Sequence, residues 1–170
     1  MTNQPVFFTL TLLFGALACG DRRPGAPPAS ARDSADSTFA LVQARGREAM
    51  GVDQYTSTHQ FEPLPDGGRI TLTRDSTDPA GESRIRAHMQ EIAAAFKRGD
   101  FRLPGFVHDQ EVPGTDVMRA RRSEITYSAE SVTGGGQLRI QSRDSAAITA
   151  IHEFLAFQRR DHRAGEHSHQ

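Results

Sequence analysis

The chain carries one short plan twice, and that duplication limits its fold more than any other feature. PDGGRITLTRD in the first half matches TGGGQLRIQSRD in the second, and IRAHMQEIAAAF is followed in pattern by ITAIHEFLAFQR. Each copy reads as strand, glycine-rich turn, strand and capped helix. In the first copy, residues 55–64 form a strand with His59 and Phe61 on one side by the period of two. Pro65-Asp66-Gly67-Gly68 is the turn, because Asp-Gly supplies the positive φ of tight hairpins. Residues 69–74 return, with Ile70 and Leu72 inward. Asp78 caps a helix with Pro79 at its first position, and Gly99 ends it. Ile85, Met89, Ile92 and Phe96 make one apolar stripe, while Lys97 and Arg98 suit the dipole of the last turn.

The second copy places strands at 124–129 and 137–142 around Gly134-Gly135-Gly136, with Ile125, Tyr127, Leu138 and Ile140 inward. Asp144 or Ser145 caps a helix to about residue 160, striped by Ile148, Ile151 and Leu155 and widened by Phe154 and Phe157. Residues 38–50 add an N-terminal helix, ended by Gly51. The expected fold is α+β: a duplicated ββα unit giving a four-stranded antiparallel sheet with two helices on one face. It occupies a single domain, residues 38–165, ahead of a polar tail, 166–170.

What precedes the domain speaks of export. VFFTLTLLFGALA, residues 6–18, is uncharged and apolar, yet shorter than the roughly 20 residues of a membrane span. It fits the core of a signal peptide, 1–18, although residues 1–5 lack the usual Lys or Arg. Cys19 then admits two readings: a lipid-attachment site, with Ala16 where such sites favour Leu, or the residue left after an A-x-A cleavage. Residues 19–37 add Pro, Gly, Ala, Ser and charge, the composition of a flexible tether. The expected partner is therefore a membrane, through lipid at Cys19, with a protein partner in the cell envelope left open.

Composition excludes several classes. The 170 residues carry a formal net charge of −1, so no basic surface points to nucleic acid. Cys19 is the sole cysteine, which rules out an intrachain disulfide and a thiolate zinc site. Imidazole and thioether remain as soft-metal ligands. His59, His88 and His152 are all expected inward, one on a strand and one on each repeat helix. His108 and Met118 belong to the connection after the first helix, where residues 100–115 read as a long loop pinned by Pro104-Gly105 and Pro113-Gly114. Met50 lies just before the first strand and His162 just after the last helix.

His59, His88, His108, Met118 and His152 are thus the candidate ligand or metal set, with copper or zinc as the metals such donors suit; the competing reading is hydrogen-bonded core histidines. His162, His167 and His169 form a separate C-terminal cluster of the kind that binds metal weakly.

Catalytic motifs are sparse. There is no G-x-S-x-G, no HExxH, and the triple glycine is not followed by a helix, so it is no phosphate loop. Asp109, Glu111 and Asp116 stand near His108 as acid–base candidates, and Arg119, Arg121 and Arg122 as anion contacts, but polar surface has the same composition. The balance of these features is against an enzyme.

Three stretches together resemble a family of small exported bacterial proteins without an established activity. They are GVDQYTSTHQF, the run of His88, Gly99-Asp100-Phe101, Pro104, His108, Pro113-Gly114 and Met118, and AIHEFLAFQRRDH. The resemblance covers residues 45–165 and implies an exported α+β domain. Some members carry the label aspartate carbamoyltransferase. That activity needs a chain about twice this length and an S-T-R-T motif for carbamoyl phosphate, and this chain has none.

Overall fold

The computed structural model describes residues 29–75 and 77–164. The expected signal peptide, residues 1–18, and Cys19, His167 and His169 lie outside the described residues. Strands β1 (Ser57–Leu64), β2 (Gly67–Arg74), β3 (Ile125–Val132) and β4 (Gly135–Ser142) form one sheet in the order β1-β2-β4-β3. All three pairings are antiparallel. The two hairpins meet through their inner strands, where Ile70 faces Leu138 across the centre. This is the duplicated ββα unit expected from the repeats, its halves related by a two-fold between β2 and β4.

One face of the sheet is apolar and the other polar, as the pleat dictates. Phe61, Ile70, Leu72, Tyr127, Leu138 and Ile140 are buried. Their neighbours along the strands, among them Thr58, Glu62, Arg69, Glu130 and Gln141, form the opposite face. Helices α2 (Pro79–Lys97) and α5 (Ser145–Asp161) cover the apolar side, α2 mainly over β3 and β4, α5 over β1 and β2. Each burial of a Leu, Ile or Phe side chain contributes about 1.5–3 kcal/mol.

Caps set the helix ends. Asp78 accepts from Gly81 N at 2.9 Å, and Asp144 from Ala147 N at 2.8 Å. Gly99, at φ +77°, closes α2 with its N–H on Phe96 O while Asp100 N reaches Ala95 O. Gly68 lets α5 approach the sheet: an added Cβ would stand 2.1 Å from Leu155 Cδ1.

Two expectations need correction. The N-terminal helix, α1 (Ala29–Met50), begins nine residues earlier than the expected residue 38, in the stretch read as tether. Its early turns gain Ser37 and Thr38 hydroxyl bonds to Asp33 O and Ser34 O, and Asp36 pairs with Arg163 at 2.6 Å. The supposed loop 100–115 contains a short helix, α3 (Arg102–His108), before α4 (Thr115–Ala120). Pro104 does not break α3 because it sits in the first turn, whose N–H groups have no intrahelical acceptor. α1 packs on α3, and Arg45 fastens it to Asp109 at 3.0 Å.

Candidate functional site

A cavity of about 90 Å³ lies between α1, the β1–β2 hairpin, α2, α3 and the end of α5. Four imidazoles line it: His59 from β1, His88 from α2, His108 from α3 and His162 just beyond α5. Most of the remaining wall is hydrocarbon and aromatic, including Leu72, Met89, Phe96 and Phe154. Among the described residues, no Asp, Glu, Lys or Arg lines it.

Each histidine arrives by a different local rule. His59 follows the strand period that also buries Phe61. His88 follows the helical period, three residues after Ile85 and four before Ile92, and is 8% exposed. His108 is the buried last residue of α3, after which Asp109, left-handed at φ 55°, ends the helix. His162 is the C-cap of α5, with its N–H on Gln158 O at 2.9 Å. Arg163, left-handed at φ 49°, then reverses the chain, and its guanidinium rests 4.4 Å from the Phe39 ring centroid.

The rings contact one another. His59 and His162 stack with centroids 5.1 Å apart and planes 16° from parallel, and Phe61 lies 5.4 Å from His162. His162 meets the His108 ring edge-on at 5.1 Å. His59 and Phe61 also line a shallow outer depression of about 350 Å³ beside Glu62 and Arg159. Their rings therefore form the partition between the inner cavity and the surface.

Electrostatics favour neutral rings. Burial pushes the His59 imidazole down to about 4, helped by nearby His88, against a smaller opposing pull from Asp75. Burial holds His162 well below the ordinary histidine range, with His59 and His108 adding to it. His88 is lowered by burial, which Glu91 partly offsets.

His108 differs from these in having partners at both nitrogens. Its Nδ1 bonds to the Asp161 carboxylate in a short contact, and its Nε2 lies 2.9 Å from Gln158 Oε1. Gln158 is 5% exposed. Its Nε2 and the Nδ1 of His162 are buried, and neither has a hydrogen-bond partner among the described residues. Each such atom costs about 1–3 kcal/mol.

The expected ligand set divides. His59, His88 and His108 come together at this cavity. His152 does not: its Nε2 is 2.9 Å from Leu64 O, at the edge of α5. The stripe of α5 runs through Ala147, Ile151, Phe154, Leu155 and Gln158, and counting from Ile148 placed His152 too centrally. Met118 is likewise separate, at 0% exposure within the general core. Met50 lines the cavity. Among the described residues, no three His, Cys, Asp or Glu side chains are arranged to hold a metal ion.

Sequence reasoning missed Gln158 and assigned His162 to the C-terminal cluster instead of the core set, because its neighbours look like a frayed tail. Counting from the two caps exposes it: eighteen residues after Asp78 is Phe96, and eighteen after Asp144 is His162. A position filled by buried Phe96 in one repeat is a core position in the other. Compared with protein-family models, curated proteins and solved structures, the chain matches none.

Proposed function

We propose that this protein is an exported, lipid-anchored binding domain that holds a small ligand in the cavity faced by His59, His88, His108 and His162. The observation that carries the reading is a cavity of about 90 Å³ walled by hydrocarbon and four imidazoles, with the buried Gln158 Nε2 and His162 Nδ1 unpartnered among the described residues on two of the side chains that line it. A purely structural core gains nothing by retaining the space or the unpaired atoms. The export half rests on the apolar run 6–18 and on Cys19, and accords with the resemblance to small exported bacterial proteins.

Size limits the ligand. A cavity of about 150 Å³ takes benzene, so about 90 Å³ suits about three or four non-hydrogen atoms. At a ceiling of about 1.5 kcal/mol per such atom, four atoms give at most about 6 kcal/mol, a dissociation constant of tens of micromolar at best.

A transition metal, copper or zinc, is the second reading. Neutral imidazole is the ligating form, and Met50 and Met89 line the same space. It requires the rings to turn, since stacked imidazoles do not aim their nitrogens at a common point.

The test has two parts. Membrane fractionation of cells making the full chain and its Cys19→Ala variant should show the variant released; unchanged partition refutes lipid anchoring. Titration of the full chain with small organic probes, Cu(I) and Zn²⁺, followed by NMR of the histidine rings, should move His59 and His162 with an organic probe. Stoichiometric metal binding alone would establish the second reading. No response to either would leave the cavity a packing defect and the domain an interaction module for envelope proteins.

A further inference from the structure

Resting on that reading of the cavity, we infer that α1 is a hinged strap over it: the helix swings out about Gly51 to admit the ligand, and the pairs Arg45–Asp109 and Asp36–Arg163 clasp it shut.

α1 closes one side of the cavity yet adheres lightly. It contributes Gly46, Ala49 and Met50 to the wall. Of its described side chains, only Val42 and Gln43 are buried. Val42, at 2% exposure, stands outside the continuous apolar core that joins the sheet to α2 and α5, and so does Val107 of α3. A helix seated on such a satellite contact can leave without opening the main core. The Gln43 side-chain oxygen is also buried, with no hydrogen-bond partner among the described residues, and opening returns it to water.

The hinge lies where the light helix meets a fixed chain. Met50, the last residue of α1, packs against the main core. Gly51 follows, left-handed at φ +73°, and Val52 beyond it belongs to that core. Arg74 then secures the next turn, bonding to Asp53 O, Thr56 Oγ1 and Ser57 Oγ at 3.2, 2.7 and 2.9 Å. Rotation of α1 is therefore taken up at the glycine.

The clasps tie the strap to the cavity wall. Arg45 reaches Asp109 at 3.0 Å, and Asp36 reaches Arg163 at 2.6 Å, whose guanidinium also rests on Phe39. Asp109 and Arg163 are the non-glycine residues of the described chain at positive φ, 55° and 49°. Each directly follows a cavity histidine, His108 or His162. Each corner thus carries a ring of the wall on one side and a clasp on the other. Left-handed backbone is unfavourable in a residue with a side chain and persists where its surroundings hold it. Seating α1 and setting those two rings are therefore linked.

Hydrogen exchange and ligand kinetics on the full chain test this. Amides of α1 should exchange at least about a hundredfold faster than those of α2 and α5, once corrected for intrinsic rates. Ile140→Val trims a buried core residue away from the cavity. It should speed exchange in α2 and α5 and leave α1 unchanged, because an open strap keeps that core. If it speeds α1 equally, α1 leaves only when the whole domain unfolds, and the strap is refuted. Asp36→Asn combined with Asp109→Asn removes both ion pairs, and Asn tolerates left-handed backbone. Trifluoromethane and propan-2-ol, followed by NMR, serve as probes. Their association and dissociation rates should both rise about fivefold in the double variant, with affinity within about twofold, because the closed state weakens equally with and without a probe. Unchanged rates with binding intact would send the ligand past His59 and Phe61 and overturn the strap as the entrance. No binding of either probe to the unaltered protein would overturn the cavity reading, and with it the admission of a ligand, while the exchange comparison still decides the hinge.

Discussion

Acidification from pH 7.5 to 4.5 should weaken the fold by several kcal/mol before the carboxylates contribute. In the unfolded chain a histidine takes its proton near pH 6.5; His59 in the folded protein resists until about pH 4. Between those values the unfolded state binds the additional proton, so stability falls as pH falls, at about 1.36 kcal/mol per pH unit for each such ring. Above pH 6.5 both states are neutral and the contribution is flat. Across the full window His59 alone gives up to about 3.4 kcal/mol, and its residual solvent access reduces that to about 2–3 kcal/mol. His88 and His162 shift in the same direction, so the slope should exceed one proton in the upper part of the window. Asp66 and Asp100 act in the same direction but at lower pH. Hydrogen bonds from Gln141 and Arg139, and from Arg102, hold their carboxyls below the usual range, and what they contribute is lost only at more acid pH. Urea unfolding followed by circular dichroism at half-unit steps measures the slope. His59→Phe should flatten it by about one proton. Stability constant to within about 0.5 kcal/mol between pH 7.5 and 5 would refute the account of buried neutral imidazoles.

Two further outcomes follow from packing. Met118→Ala, at a fully buried site away from the cavity, should cost about 2–5 kcal/mol in chemical denaturation without altering probe affinity. Loss of cavity binding in that variant, at temperatures where it remains folded, would return Met118 to the site. Gly114→Ala should cost about 3 kcal/mol or more. Its φ of +82° is unfavourable to alanine, and the added methyl would stand 2.2 Å from Ala150 O on α5. A thermal midpoint unchanged by this substitution would show that α4 and α5 can separate freely.

Much of this architecture is legible in the chain because its signals are local. The hairpins follow from alternation around Asp66-Gly67 and Gly134-Gly135, and α2 from Asp78, Pro79 and a stripe at spacings of four, three and four. The inward direction of His88 comes from the same arithmetic. The short helix α3 is hidden because Pro104-Gly105 has the composition of a turn, and only tertiary contact with α1 favours the helix. His162 is hidden because the residues around it are polar. Its burial depends on the chain reversal at Arg163 and the contacts that α1 makes there. His152 was misplaced by one helical face, an error that the cap position and not the apolar run corrects.

The two-fold between β2 and β4 has a consequence for how such a cavity arises. Ten, fourteen and eighteen residues beyond their caps, α2 presents His88, Ile92 and Phe96, and α5 presents Phe154, Gln158 and His162. All six line the same cavity. Were the halves identical subunits of a dimer, any change on one wall would be forced on the other, and a histidine at the eighteenth position would always come as a pair. Joined in one chain, the halves are free to differ. At the fourteenth and eighteenth positions α2 has Ile92 and Phe96 where α5 has Gln158 and His162, while at the tenth α2 has His88 where α5 has Phe154, so the two walls differ at all three positions. A repeat carried within one chain, unlike a symmetric dimer, thus permits an asymmetric pocket along a seam of two-fold design.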